Sequence, residues 1–177
     1  MASSNPFPDK KYQIIYADPP WRFDKSITET FACKYPCMGI DELIALDVKS
    51  IKADDCALFL WTTMRHIPQA ISLIDSWGFE YRTVAFVWVK TSKKGNINHR
   101  LGYWTLSNAE ICLLGISGHP RKVNNKVRSV HLLPREGHSK KPQQFRDNIL
   151  TLFGDIPRIE LFARQKTEGW DVWGNEV

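Results

Sequence analysis

Short apolar runs alternate along this chain with segments whose apolar residues recur at helical spacing. The first run, Tyr12-Gln13-Ile14-Ile15-Tyr16-Ala17, is rich in β-branched and aromatic side chains and stops abruptly at Asp18-Pro19-Pro20-Trp21, which predicts a strand ending at a turn. A helix is predicted from Ile40 to Val48, with Leu43, Ile44, Ala45 and Leu46 mostly on one side. Cys56 to Thr62 is a continuous apolar run, the pattern of a strand buried on both faces. A second helix is predicted from Ile67 to Trp77: Pro68 suits its first turn, Ile71 and Ile74 share a face, and Gly78 can terminate it. Strands are predicted from Phe79 to Lys90, Ala109 to Ile116 and Val130 to Leu133, then a helix from Pro142 to Phe153 closed by Gly154, and a last strand from Ile159 to Ala163.

This alternation predicts an α/β fold: a mostly parallel sheet flanked by helices, with room for one antiparallel hairpin. No repeat, low-complexity stretch or linker interrupts it, so residues 1–11 read as a polar N-terminal tail and 12–177 as one domain. Sheets of this kind bind ligands beyond the carboxyl ends of their strands, which directs attention to Asp18-Pro19-Pro20-Trp21.

Composition narrows the setting. No apolar run approaches the ~20 residues of a membrane span, and the opening MASSNPFPDKK lacks the apolar core of a signal peptide, so a cytoplasmic protein with no membrane partner is expected. Cys56 and Cys112 lie inside apolar runs and read as buried thiols. Cys33 and Cys37 have no second Cys or His pair at ligand spacing, and no metal is expected. The net charge of +5 is a moderate bias toward polyanionic partners.

An amino group conjugated to an aromatic ring can act as a nucleophile only if its lone pair is localised toward the electrophile while positive charge develops on the nitrogen. A site helps by accepting hydrogen bonds from the N–H groups and by negative potential. Asp18 supplies a carboxylate acceptor. The prolines remove amide donors and favour extended backbone, so carbonyl oxygens, that of Pro19 above all, can face a substrate. Trp21 offers a flat surface for an extracted base. The competing reading is structural: Asp18-Pro19-Pro20 forms a rigid turn and Trp21 caps the core.

Asp-Pro-Pro-Trp after an apolar strand resembles the hallmark of the MT-A70 family of adenine-N6 methyltransferases. Leu58–Thr63 (LFLWTT), Ala85–Lys90 (AFVWVK), Leu101–Gly115 (LGYWTLSNAEICLLG), His138–Pro142 (HSKKP) and Ile159–Glu176 (IELFARQKTEGWDVWGNE) resemble later family blocks in the expected order. The likeness is to the compact bacterial and phage members. It implies a Rossmann-like S-adenosylmethionine-dependent methyltransferase fold with permuted motif order, the catalytic motif near the N-terminus and the cofactor-binding strand near the C-terminus.

Carried over by resemblance, Asp18, Pro19, Pro20 and Trp21 are catalytic, and Asp18 also contacts the donor. His138, Lys140, Glu160, Arg164, Gln165, Lys166, Thr167, Asn175 and Glu176 surround S-adenosyl-L-methionine, the last two at its ribose. Where eukaryotic members carry a lysine before the equivalent of Glu110, this chain has Ala109, so Lys166 or Lys140 is the substitute partner for the donor carboxylate. Glu160 with Arg164 reads alternatively as a surface pair, Asn175 and Glu176 as a loose terminus, and Trp170 and Trp173 as core or cofactor walls.

Two basic loops, one with Lys93, Lys94 and Arg100 followed by Tyr103 and Trp104, the other with Arg121, Lys122, Lys126 and Arg128, are expected to flank the catalytic edge and contact nucleic acid. DNA is the expected substrate and RNA the alternative. With no room for a separate recognition domain, relaxed sequence preference is expected, or specificity assembled through a homodimer or partner protein. The rivals are a non-catalytic nucleic-acid-binding subunit and a protein amide methyltransferase, whose related motif begins with Asn and ends with Tyr.

Overall fold

A computed structural model describes residues 6–22, 37–102, 104–135 and 140–177. Its strands are β1 (Tyr12–Ala17), β2 (Lys52–Thr62), β3 (Glu80–Thr91), β4 (Arg100–Leu101), β5 (Leu106–Ser107), β6 (Ala109–Ser117), β7 (Val130–Pro134), β8 (Arg158–Leu161) and β9 (Asp171–Trp173). The helices are α1 (Ile40–Ile44), α2 (Ile67–Ser76) and α3 (Gln144–Phe153), with 3-10 turns at Val48–Ile51 and Met64–His66.

Seven strands form a sheet in the order β7-β3-β6-β2-β1-β8-β9, and β4 pairs with β5 apart from it. The sheet is mixed. β1 runs parallel to β2 and β8, β8 to β9, and β3 to β7, whereas β6 is antiparallel to both neighbours. Its amino end, Ala109–Glu110, therefore stands at the same end of the sheet as the carboxyl ends of β1, β2, β3 and β8.

Period-2 alternation divides the interior into two layers. Ile15, Ala17, Leu58, Leu60, Leu113, Ile159 and Leu161 pack with Leu43 of α1 and Ala70, Leu73 and Ile74 of α2. Ile14, Tyr16, Phe59, Trp61, Phe86 and Trp88 face Phe145, Ile149 and Phe153 of α3. Leucines and isoleucines fill the first layer, and aromatic rings dominate the second.

Several expectations need adjusting. The first helix is half its expected length: α1 ends at Ile44, and Val48 is buried from a 3-10 turn instead. Within α1 only Leu43 is buried, so the apolar cluster is not one face. The strand expected to continue to Ala163 stops at Leu161, because Phe162 takes a left-handed φ of 61°. It is not the last strand, since β9 follows. The described part of the expected polar tail, residues 6–11, is anchored, with Phe7 buried against Trp173 at 4.8 Å and Lys10 paired with Asp171 at 2.7 Å. Cys56 and Cys112 are buried free thiols, while Cys37 is disulfide-bonded. Among the described residues no helix is long and apolar enough to cross a membrane.

Phe145 is the ring on which the aromatic layer closes, 4.8 Å from Trp61, 5.4 Å from Phe86 and 5.2 Å from His131. Phe145→Ala should lower the unfolding free energy by about 3–5 kcal/mol, because a phenyl-sized void opens where the layer cannot collapse. A urea titration checks this: the midpoint falls at unchanged slope.

Candidate active site

Asp18 follows β1 at the point where the chain's connections diverge, β2 on one side and β8 on the other. The motif folds tightly. The Trp21 amide donates to the Pro19 carbonyl at 2.9 Å, closing a three-residue turn, and the Met38 amide donates to Pro20 O at 2.8 Å. A carbonyl oxygen has two lone pairs, so Pro19 O keeps one acceptor position.

Trp21 is placed otherwise than the stacking role requires. It is 8% exposed, its indole N–H donates to Trp61 O at 3.0 Å, and one face lies on the His66 ring at 5.7 Å and 10°. A buried indole seeks an acceptor for its N–H, and the end of β2 provides one. The ring caps the core, as the structural reading of the motif had it, and fixes the turn rather than offering an open platform.

The centre of the site is a chain of alternating charges from four elements. Lys141, just before α3, places Nζ 2.6 Å from Asp18 Oδ2 and 3.1 Å from Glu110 Oε2. The other Glu110 oxygen pairs with Lys90 near the end of β3. The Lys141 ammonium also lies 5.2 Å from the Trp61 ring centroid, and that of Lys90 5.1 Å from Trp88. Burial pushes the Asp18 carboxyl above its usual range, opposed by Lys141. Burial also works against the Glu110 carboxylate, but Lys141 and Lys90 outweigh it and hold the group down at about 2. For Lys141 burial favours the neutral amine, and the two carboxylates overcome this and raise its pKa.

A second buried pair supports the first. Arg146 of α3 grips Glu160 with two hydrogen bonds, Nε to Oε2 at 2.8 Å and Nη2 to Oε1 at 2.5 Å, and its Nη1 reaches Lys141 O at 3.5 Å. Glu160 is 5% exposed, and its strand position sends it into the α3 layer with Tyr16, over whose ring Arg146 lies at 5.3 Å. The surface pair with Arg164 is corrected here: Glu160 is buried and paired with Arg146.

The remaining cofactor candidates divide. Arg164 lies close enough to Asp18 to favour its charged form, and its Nε is 3.8 Å from Glu176 Oε1. Asn175 is exposed beside Glu176, and Gln165 is exposed. Lys166 and Thr167 line a cavity of about 560 Å³ with Lys10, Tyr12, Trp170 and Asp171, around the starts of β1 and β9. Tyr12 and Asp18 are roughly 20 Å apart along the strand. Of the expected substitutes for a donor-carboxylate partner, Lys140 is half-buried and Lys166 lies at that cavity, while the lysine bound to Asp18 is Lys141. His138 lies outside the described residues. Trp170 is buried in the α3 layer, and Trp173, partly buried, packs on Phe7 and Phe162 at the edge of the other layer.

The two basic loops separate as well. Lys93 and Lys94 are exposed on a turn directly after β3, at the Asp18 end, with Arg100 in β4 and Trp104 exposed between β4 and β5. Tyr103 is outside the described residues. The loop with Arg121, Lys122, Lys126 and Arg128 leaves from the far end. Antiparallel β6 delivers the chain there, where the His119 amide donates to Asp55 at 2.8 Å and that of Val123 to Leu152 O at 2.8 Å. The expectation that this loop begins beside the catalytic edge is corrected.

Sequence reasoning missed Lys141, Glu110, Lys90 and Arg146. Lys141, Glu110 and Lys90 sit inside quoted blocks, HSKKP, LGYWTLSNAEICLLG and AFVWVK, and charged residues at the ends of apolar runs were the available signal.

Comparison with known proteins gives a consistent result. The MT-A70 family model matches residues 12–176. The chain is 43% identical to the type II methyltransferase M.MunI of Mycoplasma sp, over 96% of this chain and 79% of that one. It is 31% identical to an N(6)-adenosine-methyltransferase MT-A70-like protein of Drosophila melanogaster and 30% identical to the N(6)-adenosine-methyltransferase catalytic subunit of Homo sapiens. Each of these likenesses covers 94% of this chain but only 27% and 28% of those relatives.

The Glu110 shift fixes a pH signature. Its folded pKa of about 2 lies below the ordinary 4.5, so the stabilisation is complete above 4.5 and is lost as pH falls through the interval between them. Glu110→Gln should be less stable than the parent at neutral pH, and the difference should shrink as pH falls from 4.5 toward 2. Denaturant unfolding of both proteins across that range checks it, and a constant difference would count against the ion pairs.

Proposed function

The chain belongs to the MT-A70 family, and on that premise we propose that it transfers a methyl group from S-adenosyl-L-methionine to the N6 amino group of adenine in DNA. The observation that carries this reading is the Asp18–Lys141 pair at the open end of the sheet. The amino-acid portion of the donor is a zwitterion, and a carboxylate beside an ammonium is its complement. The residues present therefore fit the group.

In this reading the fold is a Rossmann-like methyltransferase fold with permuted order, Asp18 near the start of the domain lying close to Arg164 near its end, which in turn faces Glu176. Lys141 would hold the donor's carboxylate and Asp18 its ammonium, with Asn175 and Glu176 accepting from the ribose hydroxyls. When bound, the donor supplies an electrophilic methyl group on a sulfonium.

The chain's residues supply position and field. Asp18 accepts a hydrogen bond from the adenine amino group and offers negative potential where positive charge develops. The free lone pair of Pro19 O accepts from the second N–H. Trp21, pinned by Trp61 O and His66, fixes that carbonyl in place, and aligning the reactants can be worth about 7–11 kcal/mol. Lys141 opposes the effect of burial on Asp18 and so favours the ionised form.

The type II methyltransferase likeness favours DNA over RNA, while the N(6)-adenosine-methyltransferase relatives keep RNA as the second reading. The acid at Asp18 and its buried partner argue against a non-catalytic subunit and against an amide methyltransferase.

Incubation with labelled donor and matched DNA and RNA, followed by nucleoside digestion, should give N6-methyladenine in DNA. Asp18→Ala should lower the rate about 10²–10³-fold or more, as loss of a preorganised electrostatic partner does. No transfer to either polymer by folded protein would overturn the reading. Lys141→Met removes the cation that lowers the Asp18 pKa, so the acid limb of any residual pH–rate profile should move to higher pH. An unmoved limb would exclude Asp18 as the titrating group.

A further inference from the structure

Between β3 and β6 the chain makes an excursion with two lobes at the Asp18 end of the sheet. The first lobe is a tight turn, closed by the Ser92 amide on Asn96 O at 2.8 Å and by the Thr91–Ile97 bridge, and it carries Lys93 and Lys94 into solvent. The second is the β4–β5 hairpin, on which Leu101 is 94% exposed, Trp104 89% and Leu106 59%. Both lobes are rooted at Lys90, whose amide donates to Asn108 O at 2.8 Å and whose carbonyl accepts the Asn98 amide at 2.9 Å. The Lys90 ammonium is the outer member of the ion chain, so the excursion begins where the site ends.

Leu101 and Leu106, large apolar side chains set in water beside the proposed catalytic edge, call for a partner. A second copy of the chain fits poorly. In a twofold contact each patch meets itself, which brings Lys93 and Lys94 of one molecule toward those of the other on a chain of net charge +5. A polyanion reverses the sign of that interaction. Adenine in a duplex must also leave the stack to reach Asp18, and its departure leaves a gap whose neighbours have lost a stacking partner.

We propose that this excursion is a duplex-opening arm: Lys93 and Lys94 hold the phosphate backbone, and Leu101, with Trp104 and Leu106 beside it, wedges into the stack where the adenine leaves. The proposal rests on the reading of the chain as an adenine methyltransferase. It separates grip from wedge, and the two lobes respond to different changes.

Native and heat-denatured unmethylated plasmid DNA, with parent, Leu101→Ser and Leu101→Met, test the wedge. A single strand has no stack to open, so Leu101→Ser should lower the duplex-to-single-strand methylation ratio about tenfold, the size of a lost stacking contact, and Leu101→Met should restore it. Replacing Lys93 and Lys94 by Ala should reduce the salt slope of binding to a fluorescein-labelled duplex by about 2. An unchanged ratio overturns the wedge while leaving the enzyme reading intact. A shift of Leu101→Ser from dimer to monomer in size-exclusion chromatography assigns the surface to a second copy instead. If the parent methylates neither polymer, the enzyme reading fails and the wedge, which rests on it, falls with it.

Discussion

The Lys141 ammonium lies in the interior, between the Asp18 and Glu110 carboxylates and over the face of Trp61. Withdrawing such a charge from water is costly, and leaving it without a partner would cost about 3–5 kcal/mol. It persists because β1 and β6 each deliver a carboxylate, and because Lys90 of β3 balances the second one. Two negative and two positive groups alternate, so the cluster is neutral as a whole. Arg146 then reaches back to Lys141 O while it is held by Glu160, which ties the backbone that presents the lysine to β8. One ammonium thereby links the ends of three strands, the start of α3 and, through Arg146, a fourth strand.

Strand direction and strand parity decide which charged groups meet. Were β6 parallel to its neighbours, Glu110 would stand at the far end of the sheet and Lys141 would face Asp18 alone. The reversal that brings Glu110 in also sends the following loop, with Arg121 and Lys122, away. Parity acts within a strand: Ile159 and Leu161 enter one layer, so Glu160 between them enters the other, where Arg146 of α3 meets it.

These are the features that resist reading from sequence. Strand positions are legible because apolar runs bounded by Pro, Gly and charged residues mark them, and β1, β3 and β6 lie within a residue or so of their expected limits. Strand direction leaves no trace in a two-residue period, so the loop after β6 was expected at the wrong end. In Lys140-Lys141 nothing local distinguishes the half-buried lysine from the buried one. Arg146 lies next to Phe145 in a helix whose apolar pattern treats any arginine as solvated. The motif was legible as chemistry, but whether Trp21 is platform or pin depended on Trp61 O and His66, both remote in the chain.

The alternating charges also bear on how such a site can open. An anion alone would draw Lys141 from Asp18 and leave that carboxylate without its ammonium partner, at a cost of several kcal/mol. A ligand carrying both an ammonium and a carboxylate exchanges one pair for two, and no buried charge loses its partner. Throughout that exchange Glu110, itself held by Lys90, keeps Lys141 charged and in place. A lone Asp–Lys pair would lose its geometry as soon as it opened. In the proposed site for a zwitterion, the Glu110–Lys90 extension would supply the fixed half of the contact, which is how four charged residues would serve such a ligand where two would not.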